Sequence, residues 1–135
     1  MEVCNRWMAE PLKAFHLDCT LPLRMKVDLD PPVEAPFVLR LAPVDDAENA
    51  KLRKLISRLA DTLRIFPGNL DIYRFHTTLG YSVQWLDDKE DAAFQALMIK
   101  WRRDVAAKSP QIVMGAPEFC IFKDMFAFQR QFYLS

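Results

Sequence analysis

Two side chains in the segment Tyr73-Arg74-Phe75-His76-Thr77-Thr78-Leu79-Gly80-Tyr81 have the types and the spacing to handle a phosphate ester. In a strand, residues two apart point to the same face, so His76 and Thr78 would present an imidazole and a hydroxyl side by side, about 6.6 Å apart along the backbone. An imidazole titrates near pH 6.5, so it serves as either base or acid in ester chemistry at phosphorus. A hydroxyl donates to nonbridging oxygens, where charge gathers in the transition state. Arg74 shares that face one step earlier and is a candidate phosphate contact, with a plain surface cation as the alternative. Tyr73 and Tyr81 are candidates for stacking on a base or for simple packing.

The elements that must position these residues are marked by periodicity and by caps. Leu21 to Val27 alternates apolar with polar residues or proline, the period of a strand covered on one face, with Pro22 at an edge or a strand start. Asp28 to Pro36 carries three prolines and three acids and makes a turn, after which Phe37 to Leu41 resumes strand character and completes a hairpin. Asp45 with Glu48 three residues later is an N-cap pair, and Leu52, Leu55, Ile56, Leu59 and Leu63 follow on one helix face until Pro67-Gly68-Asn69. Tyr73 to Val83 reads as the strand that carries His76. Asp87 and Glu90 repeat the capping pattern ahead of a second amphipathic helix with Phe94, Leu97, Met98, Trp101 and Val105. Beyond it, Gln111 to Met114, Pro117 to Phe122 and Met125 to Leu134 read as a closing meander, broken at Gly115-Ala116-Pro117 and at Lys123-Asp124. The outline is ββ-α-β-α-βββ, an α+β domain with two amphipathic helices on an antiparallel sheet. Residues 1–20 read as a loop-like lead-in to a single domain over 1–135.

Composition narrows the function classes. The chain has 135 residues, 51% of them hydrophobic and ten of them Phe, which suffices for a packed core. Eighteen Lys and Arg balance eighteen Asp and Glu, so bulk electrostatic attraction to nucleic acid has no source and any such ligand is gripped locally. Lys51, Arg53, Lys54 and Arg58 on the first helix interleave with acids and read as a solvated outer face. Phe119, Phe122, Phe126, Phe128 and Phe132 read as core of the meander, ahead of a stacking platform. Cys4, Cys19 and Cys120 are far apart without a Cys-x-x-Cys pair and suit free thiols in a reducing cytoplasm. Met1 to Glu10 holds Glu2, Arg6 and Glu10 with no continuous apolar stretch, so neither a signal peptide nor a membrane span is expected.

With this layout the chain resembles the 2H phosphoesterases, a superfamily that includes cyclic nucleotide phosphodiesterases and 2'-5' RNA ligase-like proteins. The name refers to two His-x-Thr/Ser-x motifs, and His76-Thr77-Thr78-Leu79 is similar to the second. Its flanks, with Leu23-Arg24-Met25-Lys26-Val27 and Pro117 to Phe128, look like an uncharacterised branch, and the likeness runs from about Pro22 to Leu134. The resemblance implies a bilobal fold with one motif per half in a central cleft, one histidine as base and the other as acid, and threonine hydroxyls on the phosphate. It implies no metal and no cofactor. The ligand it implies is a phosphorylated small molecule, a cyclic nucleotide or an RNA end, with a cyclic phosphate or 2'-5' phosphodiester as the bond broken, and no membrane partner.

In that pattern His76 and Thr78 are the catalytic pair, and Tyr73, Arg74 and Tyr81 are substrate-binding candidates. The first motif belongs upstream of Leu21, with Arg6-Trp7 as a landmark, so the chain is expected to begin inside the fold. His16, the other histidine, does not supply the motif. The residue sharing its face in an extended chain is Asp18, whose carboxylate repels phosphate, and Thr20 lies about 13 Å along. Three readings follow: a phosphoesterase-like hydrolase, a phosphate- or nucleotide-binding module that keeps only the second motif, and a homodimer in which each copy supplies one His76.

Overall fold

The computed structural model describes residues 2–30, 37–68, 73–81, 83–122 and 127–135, with side chains described from Trp7 onward. The Cys4 and Arg6 side chains, Pro31 to Pro36, Asn69, Ser82, the Lys123-Asp124 break, Met125 and Phe126 lie outside the described residues. Among the described residues the elements in chain order are α1 (Glu2–Lys13), β1 (Leu23–Val27), β2 (Val38–Pro43), α2 (Asp46–Leu63), β3 (Phe75–Thr78), α3 (Asp88–Lys108), β4 (Ile112–Met114), β5 (Glu118–Phe122) and β6 (Phe128–Tyr133). The fold is α+β. It divides into two compact units, residues 1–23, 50–72 and 114–135 in one, and residues 24–49 and 73–113 in the other.

The second unit carries the four-stranded sheet, in the order β3-β2-β1-β4. β1 and β2 form the expected antiparallel hairpin, with Val27 opposite Leu41, and the Asp28 N–H continues the ladder to the Arg40 carbonyl at 3.0 Å. β3 adds to β2, pairing Arg40 with His76 and Val38 with Thr78. The alternation in β1 is strict: Leu23, Met25 and Val27 are buried while Arg24 and Lys26 are exposed. Each buried side chain of this size contributes about 1.5–3 kcal/mol over an exposed one, so slipping the register by one residue would forfeit the whole set.

The caps divide the two longer helices. At α3 the box is complete: the Asp87 carboxylate accepts the N–H groups of Lys89 and Glu90, and Glu90 accepts the Asp87 N–H at 3.0 Å. At α2, Asp45 accepts the Glu48 N–H at 2.8 Å, and the Glu48 carboxylate reaches β1. It lies 2% exposed and accepts both the backbone N–H and the Nε of Arg24, each at 3.1 Å, fastening the first turn of α2 to β1. α2 ends at Leu63, earlier than the Pro67-Gly68 stop suggests. Arg64 takes φ 53° and its N–H bonds to the Asp61 carbonyl, while the Ile65 N–H reaches back to Ala60 at 3.0 Å. These two bonds make the left-handed terminus that glycine ordinarily provides.

Four expectations need correction. The lead-in is not a loop over its first part: α1 spans Glu2–Lys13, and Leu12 and Phe15 are buried at its end. The closing segments are not one meander, because β4 joins β1 in the four-stranded sheet while β5 and β6 form a separate hairpin. The face of α3 departs from the predicted apolar stripe at one position: Phe94, Met98, Trp101 and Val105 are buried or half-buried, but Leu97 is exposed and Arg102 is buried. Phe119 stacks on Phe132 and Phe122 on Phe128 as cross-strand pairs with centroids 5.4 and 4.9 Å apart, and the second pair is half exposed, not core.

Within the first unit the cations of α2 are engaged. Lys54 pairs with Asp18 at 2.8 Å, and Arg58 binds Asp18, donates to the His16 carbonyl at 2.9 Å and lies over the Phe15 ring at 4.6 Å. Lys51 donates to the Thr20 carbonyl at 2.9 Å. The solvated face predicted for these residues is therefore a clamp on the segment from Phe15 to Thr20. The carboxyl of Asp18 is held below its usual value by the hydrogen bond from Lys54, assisted by the charge of Arg58.

Candidate functional site

β3 is an edge strand of four residues, shorter than the eleven-residue strand the sequence suggests. The ladder continues one step, through the Leu79 N–H to the Phe37 carbonyl at 2.7 Å, and the chain then leaves the sheet. Tyr81, Val83 and Trp85 are exposed. Paired residues on antiparallel strands share a face, so His76 and Arg40 lie side by side on one row, with Asp28 at its far end, and Val38 lies beside Thr78. Alternation along β1 puts Lys26 on that face too. His76 and Thr78 are both exposed on it.

The His76 ring is oriented by its own strand. Nδ1 lies 3.1 Å from the Arg74 carbonyl oxygen, which can only accept, so the bond requires the proton on Nδ1. In the neutral ring this bond leaves the lone pair on Nε2, the form a general base needs. Tyr73 flanks the ring with centroids 6.4 Å apart and meets Phe75 edge-on at 5.5 Å. Tyr73, Arg74, His76 and Thr78 thus come together along one short edge. Tyr81 lies beyond the strand and is two-thirds exposed.

Sequence reasoning missed Arg40 and Arg102. Arg40 is invisible to a scan for short motifs because it lies 36 positions from His76 and meets it only through strand register. Arg102 belongs to no short motif. It is 5% exposed, and its Nε and Nη2 have no hydrogen-bond partner among the described residues. Burial, with the charge of Arg40 adding to it, holds the guanidinium below its usual pKa. Among the described residues no three His, Cys, Asp or Glu side chains group as metal ligands.

No family model matches the chain, and no curated protein matches it. Among solved structures, it is similar to a conserved protein of unknown function, ATU0111, from Agrobacterium tumefaciens, with a TM-score of 0.84 at 22% identity. The match covers 99% of this chain and 55% of that one, so the chain spans about half the length of the structure it resembles. The two share a fold, and at that identity the likeness extends no further. No described helix is long and apolar enough to cross a membrane.

Proposed function

We propose that this domain acts on a phosphate ester as a 2H-type phosphoesterase, with a cyclic phosphate or 2'-5' phosphodiester of a nucleotide or RNA end as substrate. The observation that carries the reading is the Nδ1 bond of His76 to the Arg74 carbonyl, which in the neutral ring puts the lone pair on Nε2, on the exposed face that Thr78 shares. Nε2 takes a proton from the attacking water, or in the reverse role returns one to the departing ribose oxygen. The water oxygen forms the new bond to phosphorus as the ribose oxygen leaves, giving a phosphomonoester. Thr78 donates to a nonbridging oxygen, and Arg40 and Arg74 supply positive charge beside it. The histidine chemistry named here calls on no metal. Cys19 and Cys120 are free thiols, which suits a cytoplasmic setting.

A second reading, a nucleotide- or phosphate-binding module, is favoured by the state of the other histidine. The His16 segment is held by Arg58 through its carbonyl and through Asp18, and it carries no hydroxyl two residues on. A second copy of the chain supplying its own His76 would restore two motifs. The test is hydrolysis of a 2',3'-cyclic nucleotide by the wild type and by His76→Ala. Loss of about 10² to 10⁴ in rate with the fold unchanged supports the enzyme, and dependence of that rate on protein concentration supports the paired copies. Nucleotide binding without turnover supports the module. Equal turnover by both proteins refutes the role of His76.

A further inference from the structure

Arg102 is a charge buried without a counter-ion among the described residues. Arginine keeps its proton at any physiological pH, and buried charges in folded proteins are paired or hydrogen-bonded, because an uncompensated one is costly to take from water. Here the residue is 5% exposed with Nε and Nη2 closed to solvent, and Arg40, a second cation, adds repulsion. Arg40 has interactions of its own, so the anomaly belongs to Arg102. An orphaned buried polar group of this kind marks a place where a ligand, ion or water belongs.

The identity of the orphaned atoms narrows the ligand. Nε and Nη2 are the neighbouring donors along one edge of the guanidinium plane, with parallel N–H directions. That edge takes two oxygens of a single oxyanion side-on. A carboxylate or a phosphate would fit the edge, and a phosphate carries the second charge that a site beside two arginines favours. Arg40 is also the cross-strand neighbour of His76, which ties the buried cation to the row of the candidate site.

We propose that Arg102, with Arg40 beside it, is a binding site for a phosphate-class oxyanion, held side-on through Nε and Nη2. As an anion site it stands on the burial and the orphaned donors alone. That the bound group is a phosphoryl group of the substrate rests on the phosphoesterase reading above.

The test is calorimetric titration with inorganic phosphate at an ionic strength balanced with chloride, with acetate as the carboxylate control. The proteins are the wild type, Arg102→Met, Arg102→Lys and His76→Ala. The wild type is expected to bind phosphate more tightly than acetate. Arg102→Met, similar in length and without the charge, is expected to fold with an unchanged or raised melting midpoint and to bind phosphate at least about tenfold more weakly. Arg102→Lys keeps the charge but loses the fork and is expected to fall between the two. His76→Ala is scored for turnover of the 2',3'-cyclic nucleotide and not for phosphate affinity, so failure of the phosphoesterase reading and failure of the anion site are read separately. The proposal is overturned by wild type that binds no phosphate, by acetate binding as tightly, or by Arg102→Met binding phosphate unchanged. A collapse in the stability of Arg102→Met would also overturn it, because that would mean that the charge has an internal partner.

Discussion

Replacing Glu48 should destabilise the protein far more than replacing the arginine it binds. Its carboxylate is 2% exposed and accepts two donors of Arg24, whose side chain is itself 45% exposed. The bond to Nε is partly screened by water and is discounted to about 0.5–1 kcal/mol. The bond from the backbone N–H to a buried carboxylate is worth about 1.5 kcal/mol or somewhat more. Glu48→Gln keeps one oxygen but sets an amide against one of the two donors, so a loss of about 2 kcal/mol is expected. For a chain of this size that lowers the melting midpoint by about 6–10 °C. Glu48→Ala adds a cavity and an orphaned Arg24 N–H, for about 3–4 kcal/mol in all. Arg24→Met keeps the backbone bond and should lose only about 1 kcal/mol. Urea denaturation of the three variants, with unchanged slope as the check on two-state behaviour, measures each number. A Glu48→Gln loss below about 0.5 kcal/mol, or an Arg24→Met loss equal to it, would refute the view that the backbone bond joins α2 to β1.

Two further outcomes are expected. The folded pKa of Asp18 lies below its unfolded value near 3.8, so its pairing with Lys54 and Arg58 stabilises the protein fully above that pH and is lost as the pH falls through the lowered value. Asp18→Asn should therefore melt below the wild type at pH 7, and the gap should close in melts taken progressively below pH 3.8; a constant gap would mean that the ion pairs contribute nothing. Arg64→Gly removes a left-handed non-glycine residue from the end of α2 and should raise stability by about 0.5–1 kcal/mol in urea melts. A loss on that change would show that the Arg64 side chain contributes more than the backbone strain removes.

Local signals carried most of the fold. The alternation of Leu23, Met25 and Val27 and the cap residues Asp45 and Asp87 each write a rule of one element into adjacent positions, and each element appears where its rule puts it. The failures fall where a rule was satisfied by a non-local partner. Glu48 has the spacing of a capping-box glutamate, and its carboxylate binds the N–H and the guanidinium of Arg24, 24 positions away on a strand. The helix over Glu2–Lys13 was obscured by Pro11 in its last turn, although Met8, Leu12 and Phe15 have the spacing of a buried stripe.

The candidate site divides along the same line. His76 and Thr78 are two apart, so a strand alone sets them side by side and the sequence displays the pair. Arg40 joins them only because β3 pairs with β2 in the register that puts Val38 opposite Thr78, and a shift of one residue would set Leu39 or Leu41 opposite His76 instead. Arg102 is hidden twice over: its type suggests a solvated helix face, and its burial depends on where the helix packs. A cation placed where a hydrophobic residue would be more stable is a feature that folding does not require. Its retention there makes most sense if an anion completes it, and the comparison of Arg102→Met with the wild type, stability against phosphate affinity, separates the needs of the fold from those of a ligand.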